Sequence, residues 1–135
     1  MFKLKFMKIL LVVFATFSFV YCSSQTATKA NIEKAILSSW NKPASTSSPR
    51  QSATIHSIKV GASAKANVQD EIDGIPPKAT VTIAQIDFTV REYYSDRTLA
   101  THRVMNAKVY KDQFGEWAAK SNGMKSTETK SEPAE

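Results

Sequence analysis

The stretch ATVTIAQIDFTVREYYSDRTLATHRVMNAKVY, residues 79–110, reads as two long strands folded back on each other at Tyr94-Ser95-Asp96-Arg97-Thr98. On the first arm Ile86, Phe88 and Val90 alternate with Asp87, Thr89 and Arg91. On the return arm Met105, Ala107 and Val109 alternate with Asn106, Lys108 and Tyr110. Alternation with period two puts each apolar set on one face, which predicts an antiparallel ribbon with one buried and one wet side. A loop at Ser95 to Thr98 sets Phe88 opposite Met105 and Ile86 opposite Ala107, so the two apolar sets meet. Val81 and Ile83 have the other parity from Ile86 and Phe88, and the switch near Ala84-Gln85 predicts a β-bulge that bends the sheet.

Outward from this ribbon, residues 28–41 form the helix candidate. Ile32, Ile36 and Trp40 recur at four-residue spacing with Ala35 beside them, giving one apolar stripe for the core. Thr28 or Thr26 caps its start, Glu33 lies near the positive end of the dipole, and Asn41-Lys42-Pro43 ends it. Residues 42–53, rich in Ser, Thr and Pro, read as a loop. A strand follows, with Ile58, Val60, Ala62, Ala64 and Ala66 on one side, the alanines marking a close approach of the helix. Residues 67–78 carry Asp70, Glu71, Asp73-Gly74 and Pro76-Pro77. Their acids do not match the alternate positions of a calcium-binding EF-hand loop, and they read as a solvated turn. Lys111-Asp112-Gln113-Phe114-Gly115 is a closing turn before a last strand, Glu116 to Lys120, anchored by Trp117. Residues 121–135 are almost free of apolar side chains and read as a disordered tail.

The first 21 residues have the parts of a secretory signal peptide, with Lys3, Lys5 and Lys8 ahead of an apolar run from Ile9 to Val20. That run spans roughly 18 Å as a helix, short of a ~30 Å hydrocarbon core. Without those three lysines the eighteen basic residues fall to fifteen against twelve acidic ones, a mild excess of +3. The basic residues are scattered, which argues against nucleic acid as a partner. One cysteine, Cys22, allows neither an internal disulfide nor a thiolate zinc cage. It stands where the apolar run ends, ahead of Ser23-Ser24-Gln25-Thr26. This resembles the lipobox of bacterial lipoproteins, in which the Cys becomes the acylated first residue. The preceding Phe19-Val20-Tyr21 departs from the usual Leu and small residues. Residues 22–27 would then be the lipidated Cys and a tether, held by acyl chains such as palmitate; several chains at ~0.8 kcal/mol per buried methylene make a stable anchor. Cleavage after Cys22 or Ser24 would instead leave a secreted protein.

One helix followed by four antiparallel strands, bent around it, predicts an α+β domain over residues 28–120. The order is similar to the cystatin-like roll of small exported bacterial domains of the cystatin/NTF2-like superfamily, and Val109-Tyr110-Lys111-Asp112-Gln113-Phe114-Gly115-Glu116-Trp117 resembles their closing hairpin. Small outer-membrane assembly lipoproteins, a second comparison, carry two helices ahead of a short sheet, and only one is evident here. NTF2-like isomerases pair a carboxylate with a Tyr-containing oxyanion hole; Asp87, Tyr93 and Tyr94 supply the residue types, but Asp87 falls on the face away from Phe88. Cystatins inhibit proteases through a Gln-x-Val-x-Gly loop, whereas Ser57-Ile58-Lys59-Val60-Gly61 retains the Gly and lacks the Gln and Val.

His56 and His102 are too few for a His-rich metal site, and no Ser, His and Asp fall into a nucleophile pattern. No cofactor is implied. What remains is the polar face of the sheet, with Lys59, Lys65, Asp87, Arg91, Tyr93, His102, Asn106 and Lys108. Arg91, Tyr93 and His102, with His102 opposite Arg91, are its expected anchors for a partner, because Arg and Tyr dominate binding hot spots. The sequence thus points to a non-enzymatic lipoprotein of the cell envelope, anchored in the outer membrane through Cys22 and binding an envelope or extracellular protein. The alternative is a periplasmic or secreted NTF2-like protein that binds or isomerises a small molecule.

Overall fold

The computed structural model describes residues 25–134; the signal-peptide reading, the lipobox and Cys22 lie outside the described residues. The chain forms helix α1 (Lys29–Trp40), strand β1 (Arg50–Lys65), a short helix α2 (Val68–Ile72), and strands β2 (Thr80–Tyr93), β3 (Arg97–Lys111) and β4 (Trp117–Pro133). The four strands make one antiparallel sheet in the order β1-β2-β3-β4. This is the α+β class expected.

Helix α1 starts where its caps dictate. The Thr28 side chain accepts the N–H of Asn31, and the Asn31 side chain accepts the N–H of Thr28. Two orphan donors of the first turn are satisfied reciprocally. No acid lies in that first turn, so Asn31, and not Glu33, serves the positive end. The helix ends at Asn41, whose side-chain oxygen accepts the N–H of Ala53 at 2.8 Å and ties the C-terminus to β1.

The apolar stripe of α1 buries Ile32, Ala35 and Ile36 completely against Ala84, Ile86, Phe88, Val90, Met105, Ala107 and Val109. The faces of β2 and β3 are therefore as the alternation predicts. Their register is not: Ile86 pairs with Met105, Phe88 with Arg103 and Thr89 with His102. The hairpin turns tighter than expected, with Tyr94 N–H donating to the carbonyl of Arg97 at 2.9 Å. The slip is two residues, which returns every side chain to the same face. Trp40 closes one end of the core, its ring 5.5 Å from that of Phe88, with the Arg103 guanidinium 5.0 Å over the Trp40 ring.

Five further expectations need correction. Strand β1 begins at Arg50, so the last four residues of the expected loop are strand, and Gln51 bridges to Lys42. Its bulges, between Ile55 and Ser57 and between Val60 and Ser63, bring Ala53, Ile55 and Ile58 onto the core while Ala62 and Ala64 stay exposed. Pairing of β2 with β3 is continuous through Ala84-Gln85, without a bulge. Val81 and Ile83 have the other parity because α2 lies on that side at this end of the sheet, alongside the buried Ile75. Residues 67–78 are thus a capped helical turn with a buried Asp70, not a wholly solvated loop. Finally, β4 continues through the segment expected as a disordered tail, paired with β3 from Trp117 opposite Lys111 to Pro133 opposite Arg97. Its distal half carries one large apolar side chain, the exposed Met124, because both sides are wet; what it provides is backbone pairing for β3, which would otherwise present an open edge.

Candidate binding face

The face of the sheet away from α1 carries the polar residues of β2 and β3, and two bulges add to it. In β1 the shift after Ile55 turns His56 onto this face, where its Nε2 lies 2.7 Å from Thr89 Oγ1. In β4 the shift between the partners of His102 and Arg103 leaves Thr127 unpaired in the ladder. Its hydroxyl lies 2.5 Å from His102 Nδ1, and the opposite ring nitrogen, Nε2, lies 2.5 Å from Asp87 Oδ1. A bulge re-aims a side chain at the cost of one ladder position. Here both bulges aim a side chain at the row formed by Asp87, Thr89 and His102.

The chemistry of this row follows from what each atom donates. The Asp87 carboxylate accepts only, so His102 presents N–H at Nε2; in the neutral ring Nδ1 then accepts the Thr127 hydroxyl. Asp87 fixes the tautomer and the orientation of the imidazole. The His56 and His102 rings are 6.0 Å apart. An Asp, a His and a Thr in line have the residue types of a nucleophile triad, but the row lies flat on the open face of the sheet. Three hollows in the surface lie elsewhere. One, of about 190 Å³, opens between α1 and the sheet and is lined by Ile36, Trp40, Met105 and Ala119 among others, none of them acidic. One follows the outer side of α1. The third, about 180 Å³, lies by α2 and Lys108. Among the described residues no three His, Cys, Asp or Glu are grouped to hold a metal, and no helix is long and apolar enough to cross a membrane.

Arg91, Tyr93 and His102 all lie on this face and are half-buried. His102 is opposite Thr89, however, and Arg91 is opposite Ala100. Arg91 donates to Glu132 at 3.3 Å and to Thr54 at 3.4 Å, linking β4, β2 and β1. The Tyr93 hydroxyl lies 2.8 Å from that of Ser52, and the Arg50 guanidinium stacks 3.7 Å above its ring. Each contact at such exposed positions is worth about 0.5–1 kcal/mol. Their joint effect is to hold long side chains in one geometry before any partner arrives. Lys108 and Lys65 leave the expected set: Lys108 is engaged by Asp70 at 2.6 Å, and Lys65 reaches the Lys78 carbonyl at 3.4 Å.

Sequence reasoning missed His56, Thr127 and Glu132. The spacing of Ile55 and Ile58, three apart in an otherwise alternating strand, is a bulge signal that places His56. Thr127 and Glu132 fell in the segment read as tail. The alternation of Thr127 and Thr129 with Ser126, Glu128 and Lys130 is the signal for the strand, since Thr favours strands without needing burial.

At this end of α2, Asp70 is buried and accepts from Lys108 Nζ and from the N–H of Asn67. The Lys108 hydrogen bond, then the Asn67 N–H, then the Lys108 charge hold its carboxyl below the usual carboxylate range, against the opposing effect of burial. The pair pins α2 to the sheet and is structural.

Comparison of the chain with protein-family models, with curated proteins and with solved structures finds no match.

Proposed function

We propose that this protein is a non-enzymatic lipoprotein of the cell envelope, exported by residues 1–21, acylated at Cys22, and acting as a binding module through the polar face of its sheet. In this reading the domain is a cystatin-like roll that serves as a scaffold, and the partner is an envelope or extracellular protein. The observation that carries the binding role is the row across four strands formed by His56, Asp87, His102 and Thr127, continued by the Arg91–Glu132 pair. Preorganised polar side chains on a rigid sheet spend little conformational entropy on binding. The hollow of about 190 Å³ between α1 and the sheet has no acidic side chain in its lining, and Phe88, Ile86 and Ile36 are fully buried, which favours this reading over an NTF2-like pocket for a small molecule or an isomerase site.

The test is site-specific photocrosslinking in cells. A photoreactive residue replacing His102 is expected to give an adduct of one defined mass, lost when Arg91→Ala is added. The same residue at Glu33, exposed on α1, is expected to give none. Equal labelling at both positions, or an adduct indifferent to Arg91, would contradict a partner at this face.

A further inference from the structure

The lower end of the sheet, where β2 begins and β3 ends, gathers features that the binding face does not use. Phe114, at the tip of the turn between β3 and β4, is 79% exposed. Val68 and Ile72, one turn apart on α2, are 74% and 72% exposed. Both segments lie at one end because Lys65 pairs with Thr80, Thr82 with Val109 and Lys111 with Trp117. Three large apolar side chains left in water at the same end of a small domain mark a contact surface.

The chain itself says what covers it. Ala27 is buried and its N–H donates to Thr82 Oγ1 at 3.2 Å; Lys111 Nζ donates to Gln25 Oε1 at 2.9 Å. The N-terminal segment is therefore fastened to this same end. Only four residues separate Cys22 from Ala27, and the five steps between them, fully extended, span at most about 18 Å. The hairpin at the other end is eleven residues along β2 from Thr82, about 36 Å away at ~3.3 Å per residue. A lipid on Cys22 can reach the bilayer only with the Phe114 end facing it.

We propose that Phe114, Val68 and Ile72 rest on the lipid bilayer in which Cys22 is anchored, so that the domain stands upright with the Tyr94–Arg97 hairpin outermost. This rests on the anchored reading above and adds the orientation and the lipid contact. Lys65, Lys78, Lys111 and Lys120 at this end are matched by Glu71, Asp73, Asp112 and Glu116. The contact is thus apolar, and it does not require anionic lipid.

The test uses the whole mature protein, purified from cells with its N-terminal mass verified and reconstituted into phosphatidylethanolamine and phosphatidylglycerol vesicles. An acylated Cys22 carries no free thiol, so nitroxide labels go on Phe114→Cys, Val68→Cys and, as the distant control, Ser95→Cys. Labels at 114 and 68 are expected to collide with membrane-dissolved oxygen and to be severalfold less open than the label at 95 to a water-soluble nickel chelate. Using two apolar positions separately guards against loss of one anchor. An acylated Cys22 with labels at 114 and 68 as open to nickel as that at 95 would overturn the inference alone. An unmodified Cys22 would overturn the anchored reading, and this inference with it.

Discussion

Lys108 of β3 places its ammonium 2.6 Å from Oδ1 of Asp70, whose side chain is only 6% exposed, and so pins α2 against the face of the sheet that α1 does not cover. The pair places α2 beside the stretch of β2 where Val81, buried, and Ile83, still partly open to water, lie on the side away from α1, and so accounts for the change of parity there.

The pH dependence of stability follows from that pair. Asp70 titrates below its ordinary 3.8 in the folded chain, so it binds its proton more readily when unfolded. Its contribution to stability is full above the ordinary value and is lost as pH falls through the folded value. Asp70→Asn retains an oxygen to accept the Asn67 N–H but not the charge. The variant is expected to unfold at lower urea than the native chain at neutral pH, and the two midpoints are expected to converge in acid. A gap that stays constant with pH would show that the charge is not what holds α2.

Phe88 is fully buried between α1 and the sheet and meets Trp40. Phe88→Ala removes the largest side chain of the core and leaves a cavity, at a cost of about 3–5 kcal/mol. Urea unfolding followed by Trp fluorescence measures it directly.

Thr28 caps α1 and takes part in a reciprocal pair with Asn31. Thr28→Ala is expected to cost about 1 kcal/mol, and Thr28→Ser far less, because the serine hydroxyl can make the same bond. Equal losses for the two variants would mean that the hydroxyl is not the cap.

Gly61 lies in the second bulge of β1, where an added Cβ would stand 3.0 Å from the Ile83 carbonyl oxygen. That oxygen is backbone of the neighbouring strand and yields only by moving it. Gly61→Ala is expected to destabilise by about 1–3 kcal/mol, and more than Ala62→Ser at the adjacent exposed position.

What could be read in the sequence depended on burial. Helix α1 was legible because Ile32, Ile36 and Trp40 share one stripe that must face a core, and the faces of β2 and β3 were legible for the same reason. Their register was not. A slip of two residues leaves Phe88, Ile86 and Met105 on the same side, so alternation cannot distinguish Phe88 opposite Met105 from Phe88 opposite Arg103. The candidate site inherits that limit: Arg91, Tyr93 and His102 were assigned to the correct face, but the contact of His102 with Asp87 depends on the register, and its contact with Thr127 on a bulge in a stretch whose one large apolar side chain, Met124, sets no period. Polar strands written in Ser, Thr, Lys and Glu resemble disordered tails because the backbone pairing that orders them leaves no hydropathy signal.

The distal half of β4 makes that point testable. Truncation after Lys120 would leave β3 from Arg97 to Ala107 as an open edge and remove Thr127 and Glu132 from the candidate binding face. The truncated chain is expected to self-associate in gel filtration while the full chain does not. An unchanged elution volume would show that the segment covers nothing.

The most direct measurement is the intact mass of the mature N-terminus from cells, beside a Cys22→Ser control. A diacylated or triacylated Cys22, with the modification and the membrane association both lost in the control, is the result predicted for an anchored envelope lipoprotein. An unmodified chain beginning at or after Ser23 would contradict the anchor, and the protein would then act free of the membrane.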